Sequence, residues 1–248
     1  MTCSQLPAFS PDWVFFLDID GTLADIAPTP QEAVIPQSTL HNLCRLQSKA
    51  SVTLVSGRSL ASIDAMTFPL RFAAAGQHGL EIRYTDREVF YVAGRGEPIK
   101  AIEDSVRIFQ ARHPKLLVEY KGLSIAIHYR KAPDLARTVQ DFCDTLMQGQ
   151  DDVFCLQHGK MVEEIKLRGA NKGTAIEYFM QQPNFRNKIP VFAGDDLTDE
   201  DAHIVVNRMG GITINIGCPS HAAHYCLAAP QNLRTWIHKV SELEMADL

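Results

Sequence analysis

Trp13-Val14-Phe15-Phe16-Leu17-Asp18-Ile19-Asp20-Gly21-Thr22-Leu23 passes from an unbroken apolar run into two carboxylates and a glycine. A continuous apolar run of this length predicts a strand buried on both faces, the habit of parallel sheets covered by helices. Ligands of open parallel sheets collect beyond the carboxyl ends of the strands. The stretch therefore predicts an α/β fold and also the edge that carries its chemistry. Asp18 and Asp20 are two positions apart, so in an extended chain both side chains lean into one cavity. Crowded carboxylates are costly to ionise together, and a divalent oxygen-seeking cation relieves the cost. A solvated turn after a strand would look the same in isolation, so the rest of the chain has to decide.

Downstream, the pattern repeats. Leu40, Leu43 and Leu46 recur at helical spacing after Pro36 and Ser38, Ser51 to Val55 reads as a second strand, Leu60 to Met66 as a helix and Phe72 to Ala75 as a third strand. Leu80 to Tyr84 and Val89 to Val92, joined by Thr85-Asp86-Arg87, read as a hairpin. From Ile99 to Lys166 the rhythm changes to helix, strand, strand, twice over, which predicts an inserted α+β module. Alternation then returns with a helix bearing Ile176, Phe179 and Met180, the strand Ile189 to Ala193, a helix over Asp199 to Val206 and the strand Ile212 to Ile216. Leu233, Trp236, Ile237 and Val240 mark a closing amphipathic helix before a frayed acidic tail. The division expected is a discontinuous core of residues 1–98 and 167–248, interrupted by a module of residues 99–166.

The composition is that of a globular chain: 248 residues, 46% hydrophobic, 21% charged, with a formal net charge of −5. That balance gives no general basic surface for a nucleic-acid backbone. The six cysteines are scattered without a C-x-x-C pair, which speaks against a zinc site or a disulfide framework and for a reducing compartment. No leader-like order opens the chain and no apolar run approaches the roughly 18 residues of a membrane span. The expectation is a soluble, cytoplasmic monomer acting on a small molecule, with no nucleic-acid and no membrane partner.

Polar groups gather at three strand ends: Asp18 to Thr22, Ser56-Gly57-Arg58, and Gly194-Asp195-Asp196-Leu197-Thr198-Asp199. The last cluster also suits an N-cap with an acidic first turn. Lys172 opens a helix, where an ammonium is unfavourable beside the positive helix end unless an anion is near. Together, Asp18-Ile19-Asp20-Gly21-Thr22-Leu23, Ser56-Gly57-Arg58, Lys172-Gly173 and Gly194-Asp195-Asp196-Leu197-Thr198-Asp199-Glu200 resemble the four ordered motifs of the haloacid-dehalogenase-type phosphatases. The resemblance implies a Rossmann-like three-layer core with a parallel sheet and a smaller cap of the C2B type inserted between the second and third motifs. It implies Asp18 as nucleophile and Asp20 as general acid-base. Mg²⁺ would be held by Asp18, the backbone carbonyl of Asp20 and Asp195, with Asp199 as outer ligand. Gly21, Thr22, Ser56, Gly57 and Lys172 would bind phosphate. Arg58 is assigned to substrate, with the alternative that it ties its loop to Asp64 or another carboxylate.

Within the module, Leu116, Val118, Tyr120, Leu123, Ile125, Ile127 and Tyr129 sit on alternating positions of two strands and form one apolar face. The other face carries Glu119, Lys121, Ser124, His128 and Arg130. A wet face is common on antiparallel sheets, yet it also suits a hydroxyl-rich sugar. Glu119-Tyr120-Lys121, Ser124, His128-Tyr129-Arg130, the run Gly159 to Lys166 and Gly76-Gln77-His78-Gly79-Leu80-Glu81 are similar to the trehalose-6-phosphate phosphatase family over nearly the whole chain. That similarity implies hydrolysis of trehalose 6-phosphate to trehalose and phosphate, the last step of trehalose biosynthesis. It places Glu119, Lys121 and Glu164 on the glucose hydroxyls, with His128 and Arg130 beside them, and closure of cap on core excluding water. Two departures stand out: Leu167 where the family carries proline, and Glu163 as a second acid beside Glu164. Parity alone leaves open which glutamate faces sugar, and His78 either shapes its turn or touches ligand. Other capped sugar phosphatases, acting on sucrose phosphate or mannosyl phosphoglycerate, share the core motifs, as does a phosphomutase. A sensing domain without turnover would be expected to show gaps in the set.

Overall fold

A computed structural model describes residues 6–85, 88–92, 97–217 and 220–243. The predicted hairpin turn at Asp86-Arg87 and the acidic tail beyond 243 lie outside these residues. The chain divides into two compact units, Met1–Phe90 with Asn171–Leu248, and Tyr91–Ala170.

The larger unit is built on an eight-stranded sheet. In chain order its elements are β1 (Trp13–Leu17), α1 (Gln37–Gln47), β2 (Val52–Val55), α2 (Leu60–Thr67), β3 (Ala73–Gly76), β4 (Glu81–Thr85) and β5 (Glu88–Tyr91). Later in the chain the sheet is completed by β10 (Ile189–Gly194), β11 (Ile212–Ile216) and β12 (Tyr225–Leu227), with α5 (Lys172–Met180), α6 (Glu200–Arg208) and α7 (Pro230–Glu242). The strand order is β12-β11-β10-β1-β2-β3-β4-β5. Pairing is parallel from β12 through β3 and antiparallel between β3 and β4.

All five residues of β1 are buried, because the sheet has a core on each face. Trp13, Phe15 and Leu17 alternate into a cluster with Leu40, Leu43, Ile63, Leu233 and Ile237. Val14 and Phe16 point into a second cluster with Ile176, Phe179, Phe192 and Val206. Helix, sheet and helix thus form three layers, as the continuous apolar run requires. β12 went unread because Tyr225-Cys226-Leu227 is too short to show periodicity.

The smaller unit contains α3 (Glu97–Arg112), β6 (Leu117–Tyr120), β7 (Ser124–His128), α4 (Ala136–Met147), β8 (Phe154–Gly159) and β9 (Val162–Leu167). Its antiparallel sheet runs β6-β7-β9-β8. Register pairs Val118 with Ile127 and Tyr120 with Ile125, while Glu119 faces Ala126 and Ala126 faces Glu164. Val118, Tyr120, Ile125 and Ile127 thus share one face, which Glu163 opposite Ile127 joins, and Glu119, Glu164 and His128 lie on the other.

Candidate active site

β1 and β10 are adjacent and parallel, so their carboxyl ends bring Asp18 and Asp195 to one edge. α5 adds Lys172 as its first residue; Asn171 caps the helix by accepting from Thr174 N–H at 2.8 Å, while Thr174 Oγ1 accepts from Asn171 N–H. Lys172 Nζ donates to Asp18 Oδ1 at 2.8 Å and to Asp199 Oδ1 at 2.6 Å. The other Asp199 oxygen accepts the backbone N–H groups of Asp195 and Asp196 at 2.9 and 3.1 Å. Exposure is 4% at Asp18, 3% at Lys172 and 0% at Asp199, so the group is withdrawn from water.

Glycine is required here by space. A Cβ on Gly21, whose φ is +79°, would lie 2.1 Å from Asp195 Oδ2, and one on Gly194 would lie 2.3 Å from Asp199 Cγ. Gly21 thus lets the end of the first strand approach that of β10.

Asp18 is held well above the usual carboxylate range, first by burial, against the pull of Lys172, and then by Asp199 and Asp195. Asp195 is pushed up to about 7 by burial, then by Asp196 and Asp199, with Lys172 opposing. Lys172 is raised despite burial, by Asp18 and Asp199. Asp196 is lowered: burial opposes its ionisation, but Lys172 and the Thr198 hydrogen bonds outweigh it. Negative charge therefore exceeds what one ammonium offsets. Carboxylate oxygens of Asp18, Asp195 and Asp199 lie within 4.8 Å of one another, a donor set that fits a hard divalent cation. The buried Thr22 Oγ1 has no hydrogen-bond partner among the described residues, leaving a hydroxyl for a ligand.

The loop after β2 completes the edge. Ser56 is 1% exposed, and its hydroxyl accepts from Arg58 N–H at 3.2 Å. Behind it, His78 N–H donates to Ser56 carbonyl and Gln77 N–H to Arg58 carbonyl, at 3.0 and 2.8 Å. Gln77 and His78 both take positive φ, 48° and 56°, a costly backbone that persists where surroundings fix it. A Cβ on Gly57 would meet His78 Nε2 at 2.6 Å, so the imidazole packs on the loop glycine. Glu81 adds a carboxylate that accepts from Leu60 N–H at 2.7 Å. Only Gly76 to Glu81 as a block was legible in sequence; two left-handed residues that are not glycine carry no local signature.

Arg58 forks onto Asp20, Nε to Oδ2 at 2.6 Å and Nη2 to Oδ1 at 2.7 Å. Asp64, the partner named first from sequence, is taken by Arg83.

In the smaller unit, Glu164 Oε1 accepts from Ser124 Oγ at 2.7 Å and from Lys121 Nζ at 3.1 Å. His128 Nε2 and Glu119 Oε2 are 2.8 Å apart. Arg130 is exposed in the turn after β7. Glu163 points the other way and is 1% exposed, with His158 Nδ1 at 2.6 Å and Gln140 of α4 at 3.4 Å. Of the two neighbouring acids, then, Glu164 shares the polar face and Glu163 the helix-covered one.

A three-layer parallel core with buried aspartates, serine and lysine at one edge, plus an inserted α+β unit, defines the haloacid-dehalogenase class of α/β hydrolases. The model of the trehalose-phosphatase family matches residues 16–230. The chain belongs to that family. It is 37% identical over 240 residues to the trehalose-6-phosphate phosphatase of Escherichia coli K12, covering 96% of this chain and 90% of that one. It is 38% identical over 223 residues to a probable trehalose-phosphate phosphatase of Sinorhizobium fredii, covering 88% and 84%. The C-terminal domain of the C. albicans trehalose-6-phosphate phosphatase has the same fold at 20% identity, with a TM-score of 0.83 over 95% of this chain and 93% of that one. No helix among the described residues is long and apolar enough to cross a membrane.

Proposed function

We propose that the protein hydrolyses trehalose 6-phosphate to trehalose and inorganic phosphate through an aspartyl phosphate on Asp18. The observation that carries the chemistry is the buried Lys172 bridging Asp18 and Asp199 beside Asp195. Substrate identity rests on the named relatives, 37% and 38% identical over most of the chain.

Asp18 supplies the nucleophilic oxygen while Lys172 keeps it oriented and pulls against the burial that opposes its charge. As the new O–P bond forms, the sugar oxygen departs and takes a proton from Asp20. Water then attacks phosphorus, Asp20 accepts its proton, and the Asp18–phosphate bond breaks to return the carboxylate and release phosphate. Ser56, Thr22 and the amide of Gly57 bind the phosphoryl oxygens as charge moves among them, whereas the Gly21 N–H donates to the Ala24 carbonyl at 2.9 Å and Gly21 serves by its lack of a side chain. Asp18, Asp195 and the carbonyl of Asp20 would hold Mg²⁺, with Asp199 as an outer ligand, and the cation would offset charge on the phosphoryl oxygens. Glu119, Lys121 and Glu164 bind glucose hydroxyls, with His128 paired to Glu119 and Arg130 in the turn after β7 beside them.

Phosphate release from trehalose 6-phosphate, sucrose 6-phosphate, mannosyl phosphoglycerate and glucose 6-phosphate tests this. Trehalose 6-phosphate should give the highest kcat/KM and EDTA should abolish it. A clear preference for another sugar phosphate contradicts the assignment.

A further inference from the structure

Asp20 stands outside the trio of Asp18, Asp195 and Asp199, and its side chain is 42% exposed. A short carboxylate so placed samples several rotamers unless something holds it. Arg58 does so at two points, and Arg58 is itself held on every side. Nη2 also donates to the Pro30 carbonyl at 2.7 Å and Nη1 to Ser62 Oγ at 3.2 Å. Its backbone N–H reaches Ser56 Oγ and its carbonyl takes Gln77 N–H. Anchorage of this kind exceeds what neutralising a surface carboxylate needs, where such pairs contribute little.

A guanidinium has donors only, so a fork onto both oxygens matches an ionised carboxylate. A protonated carboxyl would aim its O–H at a group that cannot accept it. The state the fork fits is the one needed after the sugar has left, when Asp20 must take a proton from water. We propose that Arg58 is a positioning residue that aims the ionised Asp20 carboxylate during hydrolysis of the aspartyl phosphate, an inference that rests on the acid-base role of Asp20. In that step water oxygen bonds to phosphorus, its proton goes to Asp20, and the electron pair of the breaking bond returns to Asp18. Formation of the aspartyl phosphate, in which protonated Asp20 is the donor, does not use the fork.

The test is stopped-flow turnover of p-nitrophenyl phosphate, whose leaving group needs no acid, by full-length wild type, Arg58→Gln, Arg58→Lys and Asp20→Asn with Mg²⁺. Both Arg58 variants should give a larger burst than wild type, approaching about one p-nitrophenolate per active site. The steady rate should then fall by about 10- to 100-fold with KM falling in step, so that kcat/KM holds within about threefold. A lysine cannot fork, so Arg58→Lys decides alone if the glutamine variant does not fold. Equal losses in kcat and kcat/KM without a burst mean that Arg58 is merely structural, and overturn the inference. A burst in Asp20→Asn with none in either Arg58 variant overturns it too, leaving Asp20 in place. Wild-type turnover by Asp20→Asn contradicts the acid-base role itself.

Discussion

The two units carry their charges differently. In the larger one Asp18, Lys172 and Asp199 are at most 4% exposed, and carboxylates outnumber the ammonium they share. In the smaller one polar side chains meet in pairs, Lys121 with Glu164 and Glu119 with His128, with side-chain exposures of 15%, 8%, 19% and 22%. A buried surplus of one sign calls for a counter-ion and an anionic group bound through it. Such pairs instead offer donors and acceptors that neutral hydroxyls can share. On the proposed function, phosphoryl chemistry falls to one unit and sugar recognition to the other, and each should be open to disturbance alone.

The largest effect should come from Asp18→Asn, which removes the nucleophile without changing shape: phosphate release should fall by at least about 10⁴-fold. Loss below tenfold would contradict its role. Lys172→Met strands two buried carboxylates and should cost about 3–5 kcal/mol of stability in urea denaturation at neutral pH with EDTA. A change under about 1 kcal/mol would show that the surplus is relieved in some other way. In the smaller unit, Glu164→Gln weakens charged hydrogen bonds and should lower kcat/KM for trehalose 6-phosphate by about 10- to 100-fold while leaving p-nitrophenyl phosphate within about threefold. Equal losses on both substrates would erase the contrast between the units.

The smallest effect is on pH dependence. An aspartate whose pKa rises on folding binds its proton more tightly in the native state, so its contribution to stability is lost as pH rises. For Asp195 the window runs from the unfolded value of about 4 to about 7 in the folded protein. Melting temperatures in EDTA and in Mg²⁺ should therefore diverge as pH rises from 5 to 8, the metal-free protein falling behind. Parallel curves would mean that the cluster does not take the ion.

How much was legible follows from where each signal lives. β1 and β10 were readable because strands buried on both faces must be apolar throughout. Asp18, Asp195 and Lys172 were readable because strand ends and a helix start are marked in sequence by Gly, Asp and Asn. Pairing was not readable: Arg58 had several carboxylates in reach, and only folded loops select Asp20 over Asp64. Strand parity left Glu163 and Glu164 equivalent and only the motif resemblance chose Glu164, because neighbouring residues of a strand differ only in face and the face depends on register. The left-handed pair Gln77-His78 left no trace, since its backbone is imposed by the Ser56 to Arg58 loop. His203 is another such case. Buried at 0% exposure against Phe192, its imidazole is lowered first by desolvation, and the helix spacing of α6 gives no hint of it.

The most direct measurement of the central claim is acid-quenched turnover of ³²P-labelled p-nitrophenyl phosphate, whose leaving group needs no acid, by Asp20→Asn in the presence of Mg²⁺, followed by peptide mapping. The proposed mechanism predicts a hydroxylamine-sensitive acyl phosphate on the peptide containing Asp18, absent with EDTA and absent in the Asp18→Asn/Asp20→Asn double variant. Label on another residue, or label that forms equally without metal, would contradict it.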